Sequence, residues 1–369
     1  MNDITEIFLA CLPGLEPIVA QEARHKGFRN VRQLAGGVAI SGDWPEVWRA
    51  NLLLRGPSRI LARMASFRAA HLAELDKKSR AVNWQAFLRP DVAVKVEATC
   101  KASRIYHSGA AAERIARALH EATGAAISAD AEIKIMARME RDLCTISLDT
   151  SGELLHKRGA KQAMAKAPMR ETMAALFLAQ CGYEGQEPVL DPMCGSGTFV
   201  LEAAEIASHM PPGRHRQFAF EKFNGFQAEA FAKLKQELSN QIITPQFHFY
   251  GSDIDEGAIR MAKANAERAG LAGITHFNLE NVANLTPPEG PAGLVMINPP
   301  YGSRIGKKDN LRNLHVELGR SLLQRFSGWR VGLITANESL ARATGLPFQK
   351  PGPPVPHGGL KVKLWQASL

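Results

Sequence analysis

The feature that most constrains this chain is a short apolar strand that runs into a glycine-containing turn and then into a helix. The stretch EPVLDPMCGSGTFVLEAAEIA holds all three parts, with Asp191 closing the strand and Gly195 and Gly197 in the turn. Strand-like and helix-like segments alternate after it, as in FHFYGSDID, EGAIRMAKANAERAGL and AGLVMINPPYG. Strands that alternate with helices form a mainly parallel sheet. The C-terminal part of the chain is therefore predicted to be an α/β domain.

The residues before this part predict two smaller α+β units. The first pattern is a strand, a helix, two short strands and a helix. The second contains the strand DVAVKVEATC, the helix HSGAAAERIARALHEATG and two strands joined by a tight turn. A length of 369 residues exceeds that of one typical domain. We predict domains at 1–58, 59–152 and 153–369, the last beginning with a polar, basic connector at 153–168.

The charge and the cysteines indicate partners and compartment. A formal net charge of +9 favours an anionic partner, most simply a nucleic acid, although a solvated basic surface would give the same value. The five cysteines form no CxxC pair, which argues against a disulfide framework and a zinc site and fits a reducing compartment. No basic signal segment and no uncharged apolar run of 18 residues is found. We expect a cytoplasmic protein without a membrane partner or a metal.

The glycine turn indicates the kind of cofactor. Glycines let the backbone approach a ligand closely, and the following helix offers unpaired N–H groups. A dinucleotide site would have an acidic residue about 20 positions further on, whereas Asp253 lies 56 positions after Gly197. A phosphate-binding P-loop is excluded because no lysine follows the last glycine. A cofactor with an adenosine ribose and an amino-acid tail fits better, with Asp253 facing the ribose. Asp191 would face the ammonium group or stabilise the turn, and Asp255 would cap the next helix.

A second polar turn follows the strand AGLVMI. It consists of Asn298, Pro299, Pro300 and Tyr301, and a parallel sheet brings it to the same edge as Asp191. The prolines stiffen the turn, so that the Asn298 side-chain oxygen and the Pro299 carbonyl are two fixed acceptors. They suit the two N–H donors of a nucleobase amine, and Tyr301 offers a ring for stacking. These residues would also suit a purely structural turn, but the glycine turn and the acid-ended strand favour a base-amine site.

The motifs DPMCGSGT, GSDID and NPPYG resemble those of S-adenosylmethionine-dependent amino-methyltransferases of the Rossmann-like class. CKASRIYHSGAAAERIARAL and DTSGELLHKRGAKQAMAKAP are similar to THUMP-containing RNA methyltransferases. Over nearly the whole chain, the resemblance is to the bacterial guanine-N2 methyltransferases of large-subunit ribosomal RNA. It implies a ferredoxin-like unit, a THUMP domain and a Rossmann-like methyltransferase domain. It also implies methyl transfer from S-adenosylmethionine to guanine N2 in 23S ribosomal RNA.

The resemblance also implies roles for individual residues. Asp191, Gly195 and Gly197 would contact the methionine part of the cofactor, and Asp253 would bind its ribose. Asn298 to Tyr301 would hold the target amine. The remaining predicted cofactor contacts are Ser196, Thr198, Ile254, Asn281 and Val282. Asn281 stands where the family often has an aspartate that binds the adenine amino group, and its side-chain oxygen can still accept that hydrogen bond.

Cationic residues outside the methyltransferase motifs are predicted to contact RNA phosphates. They lie directly before the predicted helix HSGAAAERIARALHEATG and in the basic connector at 153–168. They are Lys101, Arg104, Lys157, Arg158 and Lys161. Ala160 stands where the family tends to have an aromatic residue, so one stacking or packing contact is expected to be absent. Clustered cations of this kind bind RNA electrostatically, in a salt-dependent manner.

Three other functions remain open at this stage. A tRNA guanine-N2 methyltransferase would share nearly all of these motifs. A DNA adenine-N6 methyltransferase would share the NPPY chemistry but would not need the LLHKRG region. A non-catalytic RNA-binding assembly factor would retain the fold without cofactor binding. Cys194 is interpreted as a small buried hydrophobe, and His107, His156 and His315 as structural residues rather than bases or metal ligands.

Overall fold

A computed structural model describes residue 4 and residues 6–158, 169–300 and 308–369, with the side chains of 308 and 309 left aside. The described residues form two compact units. The first comprises the chain up to Cys11, Val19–Leu155 and Arg216–Glu237. The second comprises Leu12–Ile18, His156–His215 and Leu238–Leu369. In the described ranges, no helix has both the length and the apolar character that a membrane span requires.

Strands and helices are numbered here in chain order. The strands are β1 (Glu6–Ala10), β2 (Arg29–Leu34), β3 (Gly37–Ser41), β4 (Arg59–Arg68), β5 (Val94–Lys101), β6 (Ile133–Glu140), β7 (Leu143–Asp149), β8 (Val189–Asp191), β9 (Phe249–Asp253), β10 (Thr275–Leu279), β11 (Leu294–Ile297), β12 (Arg330–Thr335), β13 (Val355–His357) and β14 (Leu360–Ser368). The helices are α1 (Glu16–His25), α2 (Trp44–Leu53), α3 (Leu72–Arg80), α4 (Ser108–Thr123), α5 (Glu171–Gln180), α6 (Thr198–Ala207), α7 (Ala228–Ser239), α8 (Glu256–Ala269), α9 (Lys308–Arg325) and α10 (Glu338–Ala343).

The first unit is built on one seven-stranded sheet in the order β2-β3-β1-β4-β7-β6-β5. The β5–β6 pair is parallel and the other neighbours are antiparallel. The local sequence accounts for the helix ends. His107 caps α4 by accepting the N–H of Ala110 at 3.1 Å, and Gly124 ends that helix with a φ of +75°, which glycine adopts without strain.

A cluster of aromatic rings fixes residues 216–237 in the first unit. The Trp48 ring lies 6.0 Å from the Phe231 ring and 6.3 Å from the Phe220 ring, measured between centroids. Phe220 and Phe231 meet edge to face at 5.1 Å. Aromatic side chains bury large apolar areas. This burial explains why a segment so late in the chain belongs to the first unit.

The two units differ from the predicted three-domain division in two respects. Residues 1–58 and 59–152, predicted as two domains, contribute their strands to one sheet because β1 pairs with β4 over the register Glu6↔Arg63 to Ala10↔Arg59, and the boundary between them stays a prediction. Residues 216–237 were assigned to the last domain, yet they lie in the first unit. Sequence periodicity reports which face of an element is buried, but it does not report which sheet or cluster covers that face.

The second unit is a seven-stranded sheet in the order β10-β9-β8-β11-β12-β14-β13. The first five strands in this order, β10, β9, β8, β11 and β12, are parallel to their neighbours. Strand β14 is antiparallel to both β12 and β13. The predicted α/β class with a mainly parallel sheet is confirmed. Chain order reverses beside β8, since β9 lies on one side of this strand and β11 on the other. Such a reversal opens a crevice at the carboxyl ends of the strands, where α/β proteins bind ligands.

Candidate active site

Three neighbouring strands deliver the predicted polar residues to this crevice. Asp191 ends β8, Asp253 ends β9, and Asn298 follows β11 directly. The register pairs Asp191 with Gly251 in β9, while Leu190 pairs with Val295 in β11. All four residues of β11 are buried, as expected for a strand covered on both faces. The sheet therefore brings the two acids and the asparagine to one edge.

The glycine turn is fixed by hydrogen bonds to the neighbouring strand and helix. Gly195 and Gly197 have φ values of +53° and +85°. The N–H of Gly195 donates to Asp253 Oδ2 at 2.9 Å, and the Asn265 side-chain amide donates to the Ser196 carbonyl at 3.0 Å. Residues other than glycine rarely adopt such positive φ values. The turn is thus held in a conformation that presents the start of α6 to the crevice.

Asn265 is a residue of this site that sequence reasoning missed. It is 1% exposed and lies on the buried face of α8, with Ala262 and Ala266 as neighbours on that helix. The available signal was a polar residue on an otherwise apolar helix face, because a buried amide needs hydrogen-bond partners. Its contact with the Ser196 carbonyl makes it a positioning residue for the glycine turn.

The two aspartates after β9 have different roles. Asp255 caps α8 by accepting the N–H groups of Gly257 at 2.7 Å and Ala258 at 3.3 Å, which confirms the predicted cap. Asp253 Oδ1 accepts the N–H of Asp255 at 3.0 Å, while Oδ2 holds Gly195. Each carboxylate oxygen can accept more than one hydrogen bond. Asp253 therefore stabilises the turn in addition to its predicted contact with a ribose.

The carboxyl of Asp191 lies in an unusual electrostatic environment. Its side chain is 2% exposed and accepts one N–H, from Met193, at 3.0 Å. Burial raises its pKa to about 8, the nearby charge of Asp253 acts in the same direction, and the Met193 hydrogen bond opposes both. A cation placed beside this carboxyl would restore its ionised form. The site is therefore suited to an ammonium group.

The Cys194 thiol is not a nucleophile in this environment. The residue is 6% exposed, and burial raises its pKa well above the ordinary value, with the charges of Asp191 and Asp253 adding to the effect. Only the thiolate form attacks electrophiles. Cys194 acts instead as a small packing residue, in agreement with the interpretation from the sequence.

Asn298 presents a polar atom that lacks a partner among the described residues. Its side-chain Oδ1 is buried, and within the described part of the chain it accepts no hydrogen bond. Pro299, which follows, is buried, and Pro300 is half-buried. Tyr301 lies outside the described residues, so its predicted stacking role stays a prediction. A buried acceptor of this kind is costly unless a donor reaches it.

The remaining predicted cofactor contacts after Asp253 lie beyond β9 and β10. Ile254 is 70% exposed, and Leu279, which the sequence did not single out, is 60% exposed at the end of β10. Asn281 is exposed and its Oδ1 accepts the N–H of Ala283 at 3.0 Å, while Val282 is buried. Exposed apolar side chains beside a crevice suit the flat face of a base. The roles of Ile254, Asn281 and Val282 as cofactor contacts, and of Asn281 toward the adenine amino group, stay predictions.

The predicted RNA contacts divide into three groups. Lys101 and Arg104 are exposed, each with 76% of the side chain accessible, and Lys157 is exposed as well. Lys161, like Ala160, lies outside the described residues. Arg158 requires a correction, because its side chain is 5% exposed and pairs with Glu202 at 3.1 Å. A buried arginine that neutralises a buried acid cannot reach a phosphate.

The histidines have structural roles where the structure defines them. His107 caps α4, as described above. His315 is fully buried in α9, its Nδ1 lies 2.7 Å from the Leu311 carbonyl, and burial lowers its pKa. Neither residue meets the polar groups of the crevice in any recorded hydrogen bond. Both observations agree with the structural interpretation.

Comparison with known families identifies the domains. Models described as "RlmL ferredoxin-like domain" and "THUMP domain" match residues 6–61 and 69–149. A model described as "RMKL-like, methyltransferase domain" matches residues 158–349, which is more than half of the chain. The chain belongs to the RMKL-like methyltransferases. This membership confirms the predicted fold class with its ferredoxin-like, THUMP and methyltransferase domains.

Individual relatives extend the match over the whole length. A Synechocystis protein named "Putative RNA methyltransferase slr0064" is 32% identical over 98% of this chain and 96% of its own length. A crystal structure named "SMU.472, a putative methyltransferase complexed with SAH" has a TM-score of 0.90 and 25% identity, covering 100% of this chain and 99% of that one. A Listeria monocytogenes structure named as a predicted N6-adenine-specific DNA methylase has a TM-score of 0.88 and 29% identity, covering 98% and 95%.

The cofactor of this RMKL-like methyltransferase is S-adenosylmethionine, and the described residues fit it. The buried carboxyl of Asp191 suits an ammonium group, and the glycine turn offers the N–H groups at the start of α6. No cluster of three or more potential metal ligands occurs in the described ranges. The THUMP domain together with the RMKL-like methyltransferase domain supports an RNA substrate.

Proposed function

We propose that this protein methylates an exocyclic amino group of an RNA base, and that the base is guanine, modified at N2 in 23S ribosomal RNA. The observation that carries the amino-group target is the buried Oδ1 of Asn298, which has no partner among the described residues, and the choice of guanine N2 in 23S ribosomal RNA rests on the sequence resemblance. Leaving a buried acceptor unpaired costs about 1–3 kcal/mol. Such an atom is suited to a donor that arrives with the substrate, and an exocyclic amine brings two N–H donors.

The residues of the second polar turn orient the amine. S-adenosylmethionine, when bound, supplies a methyl group on a positively charged sulfur that is a good leaving group. Asn298 accepts one N–H of the amine and the Pro299 carbonyl accepts the other, so the nitrogen lone pair points away from both acceptors. Prearranged acceptors of this kind lower the barrier without reorganising during the reaction. The N–CH₃ bond forms as the S–CH₃ bond breaks and the sulfur leaves as a neutral thioether, and the amine then loses its extra proton to water, so that little acid–base assistance is needed.

Several features support RNA as the carrier of the target base. The net charge of +9 favours a polyanion, and Lys101, Arg104 and Lys157 are exposed cations. A guanine in a helix cannot present its amine to the site while stacked, so the base would be extruded into the crevice. Tyr301, directly after the second proline, is proposed to stack on the extruded base.

Single-turnover transfer of a labelled methyl group to a ribosomal RNA fragment tests the role of Asn298. Asn298→Ala should lower the transfer rate by about 10²–10³-fold, because the interaction strengthens mainly in the transition state. Cofactor affinity should change little. Asn278→Ala is a matched control, since Asn278 is an exposed asparagine on β10. Full activity of Asn298→Ala would contradict the proposal.

Digestion of the product to nucleosides identifies the methylated atom. N2-methylguanosine in the ribosomal RNA fragment supports the proposal, and the same nucleoside formed only in transfer RNA would change the substrate. N6-methyladenosine, in RNA or DNA, would change the base while leaving Asn298 in its role. A methyl group on a carbon atom or a ribose oxygen would overturn that role. Failure to bind the cofactor would indicate a non-catalytic assembly factor.

A further inference from the structure

The side chain of Tyr106 is the most exposed among the large hydrophobic side chains of the described residues. It is 83% accessible and lies between β5 and α4 in the first unit. Lys101, at the end of β5, and Arg104, on the same loop as Tyr106, are each 76% exposed. A single exposed apolar residue needs no explanation. A nearly free aromatic ring that follows two exposed cations closely in the chain is a different case, and the surrounding backbone shows how it is displayed.

The loop that carries Tyr106 is held in place by hydrogen bonds to the turn between β6 and β7. The N–H of Arg104 donates to Asp142 Oδ1 at 2.7 Å, and the N–H of Asp142 donates to Ser103 Oγ at 3.1 Å. The N–H of Arg141 donates to the Lys101 carbonyl at 3.2 Å. The loop and the β6–β7 turn therefore each donate a hydrogen bond to the other.

Backbone conformation and packing restrict the loop further. Ala102 and Asp142 have φ values of +47° and +61°, in the left-handed region. Ile105 is 5% exposed, so it anchors the loop in the core directly before Tyr106. His107 follows as the cap of α4. A ring displayed on such a fixed backbone loses little conformational entropy when it binds a partner.

Positive charge surrounds the loop. Five cationic side chains lie on it and on the adjoining strand ends: Lys101, Arg104, Arg138, Arg141 and Arg68. Only Glu140 and Asp142 oppose them there. The Arg104 Nε–Asp142 Oδ2 pair is 3.6 Å long, and the Lys101 Nζ–Glu140 Oε1 pair is 4.0 Å long. Exposed pairs of this length contribute little, so Lys101 and Arg104 stay available to an anionic partner, whereas Arg138 is held by Glu140 at 2.8 Å.

We propose that Tyr106 is a stacking site for an unpaired RNA nucleotide, whose flanking phosphates contact Lys101 and Arg104. The proposal rests on the proposed RNA substrate and adds a binding site to it. An aromatic ring stacks on any base, and cations beside it neutralise the backbone. A protein partner is disfavoured, because the exposed residues of the loop and the adjoining turn are mostly charged, with Leu143 at 40% exposure as an apolar exception.

Binding of two RNA oligonucleotides tests the site. One is a single strand with a 2-aminopurine, whose fluorescence falls on stacking, and the other is its duplex. Tyr106→Ala should weaken single-strand binding by about 10-fold and duplex binding by less than about twofold. Tyr106→Phe keeps the ring and should behave like the wild type, whereas Tyr106→Leu should behave like Tyr106→Ala. Ile127→Ala is the matched control, since Ile127 is an apolar residue of the first unit with 45% exposure.

The salt dependence separates stacking from charge. Tyr106→Ala should leave the salt slope unchanged, and Lys101→Ala should flatten it by about 0.7 for one lost phosphate contact. Equal losses on the single strand and the duplex, or undiminished quenching with Tyr106→Ala, would overturn the stacking site while RNA binding and methylation by the wild type continue. Absence of RNA binding by the wild type would overturn the proposed function as well.

Discussion

Asp191 offers a direct test of the cofactor site, because its protonation should change when the cofactor binds. Burial raises the pKa of this carboxyl to about 8, and the charge of Asp253 acts in the same direction. The ammonium group of an amino-acid tail placed beside it would favour the ionised form and lower the pKa. Binding near neutral pH should therefore release a proton.

The pKa sets the size of this effect. With a value near 8, about nine tenths of the Asp191 carboxyls are protonated at pH 7 and about half at pH 8. If binding lowers the pKa below about 5, complex formation at pH 7 releases about 0.9 proton per site. The ionised form binds the cation, so affinity rises with pH. Between pH 6 and pH 7 it should increase about ninefold.

Isothermal titration calorimetry with S-adenosylhomocysteine measures the released protons when buffers of different ionisation enthalpy are compared. This product has the amino-acid tail but no transferable methyl group, so no turnover interferes. Asp191→Asn keeps an oxygen for the Met193 N–H and should abolish the release. Asp255→Asn is the control, because Asp255 caps α8 and should leave the release unchanged. Release below about 0.2 proton at pH 7, or the same release from Asp191→Asn, would refute the reasoning.

Four further outcomes follow from buried contacts, and chemical or thermal unfolding checks their effect on stability. Asp191→Asn should stabilise the cofactor-free protein at pH 8 but not at pH 4, because a raised pKa stabilises the fold below about 3.8 and this contribution is lost as pH rises through about 8. Arg158→Ala should destabilise the fold by about 3–5 kcal/mol by leaving Glu202 without this buried partner. Gly251→Ala should cost about 1–3 kcal/mol, since its Cβ would lie 2.7 Å from the Phe277 ring. Asn265→Leu should weaken S-adenosylhomocysteine binding in calorimetry, because it releases the glycine turn.

The positions of the polar residues at the sheet edge were predictable, because they depend on a simple rule of topology. A parallel sheet collects the residues that follow its strands at one edge, and Asp191, Asp253 and Asn298 each follow an apolar strand. The cap at Asp255 was predictable for a local reason, since its carboxylate accepts N–H groups only two and three residues away. Both inferences need no knowledge of distant contacts.

Arg158 shows what the sequence could not reveal. A cation in a polar connector looks like a phosphate ligand, but its partner Glu202 lies on α6, far along the chain. The sequence of α6, which carries the partner Glu202, did contain a signal of this pairing. Glu202 and Glu205 are acids in a helix whose other buried residues are apolar apart from Thr198, and buried carboxylates need cationic partners. Glu205 has such a partner as well, in Arg214 at 2.6 Å.

The placement of residues 216–237 was unpredictable for a related reason. Phe220 and Phe231 are apolar in any context, and the pattern does not say which surface they cover. Trp48 supplies that surface in the first unit. Aromatic clusters form between segments far apart in sequence, so domain boundaries drawn from local composition miss them.

Asn298 alone cannot decide which base is methylated. Its Oδ1 accepts an N–H of any exocyclic amine, and guanine and adenine both carry one. A contact shared by both bases changes both reactions by the same factor, whereas selectivity requires a group that meets one base and rejects the other. In a competition between guanine- and adenine-containing RNA, Asn298→Ala should therefore lower both rates and leave their ratio within about twofold of the wild type. A ratio that shifts by an order of magnitude would show that Asn298 itself reads the base.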